Sequence, residues 1–394
     1  MIRSASGTAR PLVGACALLA CALQATPATA QTPLTAIGLG YPVAPADGRA
    51  AALGGTGVGL LGGTFSLSSP ADLTQHVAPG FGLAFTGEAV TVDGPSSSHD
   101  TGRERIAVVR AVAPFGDWAV AIAFGGDFDQ DWSVRFDDTL ALADGTTVPF
   151  EEAREHDGGI STIDASLARR IGPLSLGVSA QRLTGSLRQT FTRRFDESED
   201  GGPPLATAGG SQRLTYRAWR FRAGVSIAIS DRFLISAVGS KGGDLTIDPD
   251  EEEDPATTLA LPTTVEVGAS VRITDRLLVS ASGGVSDWSP SGDLEDATAH
   301  DITWVGGGIE YQGPRILGGD MPLRVGVRRA ELPFSTAASA VEETAITGGF
   351  GWLFREGTAG LHVGVEFGSR GDFATDGIEE SFRRATLSFE LRQR

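Results

Sequence analysis

Cysteine is nearly absent from this 394-residue chain: there are two, Cys16 and Cys21, both within the first thirty residues. Everything downstream therefore lacks a disulfide framework and a cysteine-based metal centre. The five histidines, His76, His99, His156, His300 and His362, are scattered without the close spacing of ligand pairs and read as ordinary polar residues. No later run is apolar and long enough for a transmembrane helix, and no stretch sustains a helical period. There is no Gly-x-Ser-x-Gly elbow and no convincing Ser, His and Asp set. No catalytic residue, no metal and no cofactor is expected. Acidic residues outnumber basic ones, 49 to 32, and the net charge of −17 argues against nucleic acid as a partner.

Asp127-x-Asp129-x-Asp131 resembles the start of a calcium loop, but Trp132 stands where that loop needs glycine. Together with the acidic run 250–254 it reads as solvated loop surface.

What is present points to export and a membrane. Arg3 and Arg10 precede an apolar run over 11–23 and the small residues Ala28-Thr29-Ala30, which is the layout of a secretory signal over 1–30. Leu18-Leu19-Ala20-Cys21 resembles a lipobox, although Leu19 is bulky for its place. Beyond residue 80, apolar residues alternate with small or polar ones. Leu174, Leu176, Val178 and Ala180 share one face, and Ser175, Gly177, Ser179 and Gln181 the other. Period two means strand.

The alternation marks fourteen segments: 80–92, 102–113, 116–128, 160–170, 174–187, 213–229, 232–247, 260–273, 276–288, 301–312, 321–331, 344–355, 359–370 and 380–392. Most exceed the roughly 5–6 residues of a globular strand and suit a tilted bilayer crossing. Long polar links (129–159, 188–212, 248–259, 289–300, 332–343) alternate with tight ones such as Pro114-Phe115 and Gly172-Pro173. This pattern predicts an all-β fold: a transmembrane antiparallel β-barrel of about fourteen strands over 80–394, in a bacterial outer membrane. Outer-membrane lipid and the barrel-assembly machinery are the partners such a barrel implies. Closure removes the edges that an open sheet of this size would expose.

Residues 48–73 contain Gly57-x-Gly59-x-x-Gly62, the glycine spacing of a dinucleotide-binding turn. That turn needs a buried strand before it and a helix after it. Here Ala46-Asp47-Gly48-Arg49 lies upstream, and Gly62-Gly63-Thr64 downstream would not hold a helix. The glycines Gly54, Gly55, Gly57 and Gly59 instead fit a segment, 31–79, that threads the lumen as a hatch close to strand backbones. Phe65, Leu67 and Leu73 would have no reason to be exposed in a loose leader.

The stretch GRAAALGGTGVGLLGGTFSLSSPADL resembles the N-terminal segment of the long-chain fatty-acid outer-membrane transporter family (FadL-like), with PorV-like barrels as relatives. Gly48-Arg49-Ala50 and Gly54 to Val58 match the first part of that family's motif, and Ser69-Pro70-Ala71-Asp72-Leu73 the second, with Ser69 in place of asparagine. The hairpin Gly349 to Gly371 is similar to the family's closing strands. The resemblance implies fourteen strands, an inward-folded hatch that includes Ser69, Pro70, Ala71 and Asp72, and an inward kink in the third strand. That strand is interrupted by Gly125 and Gly126, the candidate lateral exit. The implied function is passive passage of a hydrophobic small-molecule ligand, such as a long-chain fatty acid. The alternative is a PorV-like barrel that anchors or shuttles secreted proteins.

On the inward register lie Asp164, Arg220, Arg222, Glu266, Arg272, Arg324, Arg328, Glu366, Arg370, Arg384 and Glu390. Their charges face lipid only at high cost. Two roles fit them: a fixed network bracing the lumen, or two-point binding of a ligand carboxylate by arginine.

Overall fold

The structure, a computed structural model, describes residues 34–44, 46–94, 98–142, 147–195, 206–250, 255–292, 297–337, 339–354 and 357–393. The expected signal over 1–30, both cysteines and most of the acidic run 250–254 lie outside them.

The chain enters through β1 (Tyr41–Pro42), a short helix α1 (Gly48–Ala52) and a 3-10 turn (Pro70–Gln75). Then follow β2 (Gly80–Asp93), β3 (Ser98–Phe115), β4 (Trp118–Asp129), β5 (Trp132–Ala141), β6 (Thr147–Ile171), β7 (Leu174–Phe195), β8 (Ala208–Ser230), β9 (Phe233–Gly242) and β10 (Asp244–Pro249). The second half comprises β11 (Thr257–Ala260), β12 (Thr263–Thr274), β13 (Leu277–Asp287), β14 (Thr298–Ala299), β15 (Ile302–Ile316), β16 (Gly319–Glu331), β17 (Phe334–Ser335), β18 (Glu342–Phe354), β19 (Ala359–Arg370), the one-turn helix α2 (Phe373–Asp376) and β20 (Glu379–Arg392).

With β5, β10 and β11 as continuations of their neighbours, the described residues make fourteen crossings. All pair antiparallel, and β20 closes the ring on β2 from Gly80↔Arg392 to Asp93↔Glu379. The crossings correspond one to one with the fourteen segments of the sequence. Tight turns gather at one end, where Gly116 and Gly172 take positive φ of 61° and 59°. The long connections gather at the other, taken as the outer end. No helix among the described residues is long and apolar enough to cross a membrane; the strands do the crossing.

Alternation decides which way each side chain faces. On β7, Leu176 and Val178 are exposed on the outer wall while Ser175, Ser179 and Gln181 are buried in the lumen. Phe85, Ile122, Phe221, Val267, Val325 and Ile346 extend the same apolar belt around the barrel.

The links at 129–159 and 188–212 are corrected by the structure. Much of both is strand, because β6, β7 and β8 run for 25, 22 and 23 residues and β5 pairs with β6 above the barrel rim. A bilayer crossing needs only about 9–11 residues, so these extensions rise above it, with one face in water and Val148, Phe150 and Glu152 buried on the other. They carry charge pairs such as Arg193 with Glu152, 2.5 Å, and lack the outward apolar belt of the bilayer crossings.

The lumen holds the core. At the outer end Leu183, Leu187, Tyr216, Leu245, Trp288 and Phe334 pack together with Leu39 from the entering segment. Toward the short-turn end Phe65 and Leu73 of the hatch pack on Val112, Ala119, Ala121 and Ala168 of the wall.

Candidate functional site

Asp47 organises the hatch. One carboxylate oxygen caps α1 by accepting from the Arg49 and Ala50 amides at 3.0 and 2.9 Å, and the other accepts from the Phe65 amide at 2.8 Å. The two limbs of the hatch are thus tied through one side chain. Asp72 does the same farther on, accepting from the Gly59 amide at 2.8 Å and from the wall hydroxyl of Ser226. Arg49 reaches Glu310 on β15 at 2.8 Å, and Glu310 in turn pairs with Arg324 at 2.7 Å.

Arginines of the wall donate to hatch carbonyls: Arg110 to Ser66, Arg222 to Leu67 at 3.2 Å, and Arg170 to Thr74. Beyond β1 the hatch backbone has no ladder of its own, and these lumen side chains satisfy part of it.

Two glycine pairs let it approach. Gly54 and Gly59 have φ of 74° and 68°. A Cβ on Gly54 would strike the Val327 carbonyl, and one on Gly59 the Gly268 carbonyl. On the wall, a Cβ at Gly306 would strike the Gly54 carbonyl and one at Gly268 the Val58 carbonyl. Gly57 differs from the reading that grouped it with these. Its nearest neighbour for a Cβ is the Ser68 side chain at 3.2 Å, and it lines a cavity, as Gly55 does. Ser69 caps the 3-10 turn through the Ala71 amide at 3.3 Å, and Pro70 and Ala71 lie over Gly177 of β7.

One side of the lumen is filled by an ionic network. Arg370 is fully buried; it contacts Glu88, Glu343 and Glu380, with its guanidinium 4.4 Å from the ring centres of both Tyr41 and Phe382. Arg328 bridges Glu343 and Glu366, and Arg384 bridges Glu88 and Glu366. Arg103 and Arg105 join through Asp129. Five arginines thus meet five carboxylates, so the network has no spare charge for a ligand. Tyr41 sits at its centre, donating to Glu343 at 3.0 Å and accepting from Arg384 at 2.6 Å.

Arg328, Glu366 and Arg370 belong to this network, and Arg324 to the separate group of Arg49 and Glu310. Arg220, Arg222 and Glu266 line the cavity, which Arg328 also reaches from the network. Arg220 is held by Asp127 at 2.5 Å and Gln181 at 2.6 Å.

Asp127 and Asp129 are not the solvated surface expected of the Asp127-x-Asp129-x-Asp131 run, whereas Asp131 is exposed. The first two are tied up by Arg220 and by Arg103 and Arg105. At the turn between β4 and β5, partial desolvation, reinforced by Asp129, Asp157 and Glu155, pushes the Asp131 carboxyl up to about 6. No three-residue metal group occurs among the described residues.

At Gly125 the wall changes. The ladder between β3 and β4 ends at Val108↔Gly125. Beyond it, β4 keeps β6 on one edge, skips a residue between Gly126 and Phe128, and takes β1 on the other edge through Pro42↔Phe128 and Tyr41↔Asp129. The skipped residue is a bulge that reverses the facing: Ile122 and Phe124 point to lipid, whereas Phe128, also even-numbered, is buried in the lumen. β3 has its own register shift at the same level, opposite Ala84 and Phe85. The upper parts of β3 and β4 are thus unpaired with each other, and the interval between them is occupied by Tyr41, Pro42 and Val43 of the hatch.

Behind that interval is a cavity of about 380 Å³ between the hatch and the outer core. Val43, Leu67, Phe128, Leu261, Trp288 and Trp304 supply apolar lining, with Gly126, Arg220, Arg222 and Glu266 at its edges. Sequence reasoning did not single out Asp47, Tyr41 or the wall glycines. Asp47 before Gly-Arg-Ala-Ala-Ala carried an N-cap signal that could have found it. Tyr41 and the wall glycines carried none, because their role is set by what crosses the lumen beside them.

A closed fourteen-stranded barrel with an apolar belt outside, an N-terminal segment seated in its lumen and a cavity above that segment has the architecture of an outer-membrane barrel. The solved structures similar to it include the toluene transporter TbuX of Ralstonia pickettii (16% identity, TM-score 0.58, covering 92% of this chain and 99% of that one). The toluene transporter TodX of Pseudomonas putida is similar at 14% identity and TM-score 0.58, over 91% and 100% of the two chains. A FadL homologue from Pseudomonas aeruginosa is similar at 12% identity and TM-score 0.60, over 90% and 99%. At these identities the likeness is one of fold. No protein-family model matches the sequence, and no curated protein matches it.

Proposed function

We propose that this barrel passes hydrophobic small molecules, long-chain fatty acids or hydrocarbons among them, passively across the outer membrane. The hatch acts as plug, and the interval between β3 and β4 as a lateral exit. The observation that carries this reading is the apolar cavity lying directly behind the place where the β3–β4 ladder stops. A ligand in that cavity reaches lipid by displacing Pro42 and Val43, without crossing the ionic network. The size fits: about 150 Å³ is enough for benzene, and pockets for small ligands start near 300 Å³. The toluene transporters among the similar structures support the hydrocarbon end of the range. The cavity also favours passage of small molecules over anchoring of secreted proteins, which needs no interior space.

Gly57→Trp tests it. The indole has room to enter the cavity because no backbone stands against Gly57. The variant is expected to fold, shown by a heat-dependent shift in gel mobility, while uptake of a labelled hydrocarbon or fatty acid falls to the level of cells lacking the protein. Wild-type uptake by a folded Gly57→Trp barrel would remove the cavity from the route.

A further inference from the structure

The geometry points to a fixed site for a phosphorylated lipid of the outer leaflet on the lipid-facing wall of β7, β8 and β9, independent of the transport route. Arg182 on β7 faces outward, opposite Trp219 on β8, and its guanidinium lies 5.3 Å from the indole centre. Phe221, two residues along β8, stacks on Trp219 with ring centres 6.4 Å apart and lies opposite Lys241 of β9. Lys241 is the only lysine in the chain. Neither Arg182 nor Lys241 has a carboxylate partner among the described residues, whereas the neighbouring Arg217 is paired with Asp248 at 2.6 Å. An acidic protein that spends two unpaired cations on its lipid face needs an anion there.

Depth and shape agree with a lipid. Trp219 lies eleven residues above the Ser230 end of β8, about 25–30 Å up a tilted strand, which is the height of an apolar band. Cations and an aromatic pair at that level belong with phosphates rather than acyl chains. The wall is dented there. The β8–β9 ladder stops at Arg220↔Gly242, and pairing resumes with β10 at Arg217↔Thr246. This leaves a notch of about 480 Å³ lined by Arg182, Arg217, Trp219, Asp244 and Thr246, in which the two guanidiniums outnumber the one carboxylate. Below it runs a furrow of about 500 Å³ on the outer face, floored by Ala223 and Gly239 and flanked by Val178, Phe221 and Lys241. A notch carrying two arginines above an apolar furrow matches a phosphate above its acyl chain.

The test is native mass spectrometry of the purified, folded barrel after addition of lipid A, either diphosphorylated or enzymatically dephosphorylated. The wild-type protein should retain the phosphorylated form through delipidating washes and lose the other. Arg182→Gln with Lys241→Gln should weaken retention by roughly tenfold or more, at about fivefold per cation. Arg276→Gln, at a short turn on the opposite end, should change nothing. Gly239→Leu, which fills the furrow and leaves every charge in place, should also lose the lipid, and it decides the matter if the double variant fails to fold. Equal retention of both lipid forms by the wild-type protein, or undiminished retention by folded variants, would overturn the site.

Discussion

Arg370→Met should destabilise this barrel more than any other single substitution considered. The side chain is completely buried and neutralises Glu88, Glu343 and Glu380 together. Methionine fills much of the same space between Tyr41 and Phe382, so the loss is one of charge and not of packing. Breaking a buried pair while leaving its partners ionised costs about 3–5 kcal/mol, a large share of the 5–15 kcal/mol that holds a typical protein together. The expected result is a collapse in the yield of heat-modifiable barrel, partly recovered by adding Glu343→Gln, which removes one stranded charge. Arg232→Met breaks an exposed pair with Asp275 (2.7 Å) at a short turn and should lie within about 1 kcal/mol of wild type. Similar losses from Arg370→Met and Arg232→Met would mean that the buried network does not brace the lumen.

The second large effect falls on the hatch and spares the wall. Gly306→Val suits a strand, but its Cβ collides with the Gly54 carbonyl. Forcing a close-packed contact apart costs about 1–3 kcal/mol, which shifts the ratio of seated to unseated hatch by a factor of about 5 to 150. The barrel should still assemble, while entry of small hydrophilic solutes rises toward that of a chain lacking residues 48–73. Gly307→Val serves as control, since a Cβ there meets only the Ser280 carbonyl at 3.5 Å and the Ala281 side chain at 3.9 Å and no part of the hatch. Unchanged permeability in both Gly306→Val and the deletion would show that the segment does not plug the lumen.

The barrel was legible in the sequence because lipid imposes period two on every strand that meets it. Leu176 and Val178 had to differ from Ser175 and Ser179. Where the wall leaves the bilayer that pressure ends, and the upper parts of β6, β7 and β8 read as loops because their outward face meets water and carries no apolar belt. The inward charges were legible for the same reason, but their division was not. Whether Arg370 joins the ionic network or Arg222 lines a cavity depends on Tyr41 and Leu67, which cross the lumen without a period of their own. The wall glycines at 268 and 306 were opaque too, since a glycine in a strand looks the same whether it relieves crowding or admits another backbone. Gly57 misled in the other direction, sharing a motif with Gly54 and Gly59 but not their positive φ.

The central claim is that hydrophobic molecules leave through the interval between β3 and β4, which the hatch seals at Pro42. Residues 31–394 contain no cysteine, so Pro42→Cys with Phe128→Cys introduces a single thiol pair there. The two are cross-strand partners, about 4.5–5.5 Å apart at Cα in any antiparallel ladder, within the span of a disulfide. Cells carrying this variant should take up a labelled long-chain fatty acid or hydrocarbon when the pair is reduced and stop when it is oxidised, at constant levels of folded barrel. Equal uptake in the oxidised and reduced states would contradict a lateral exit at this point.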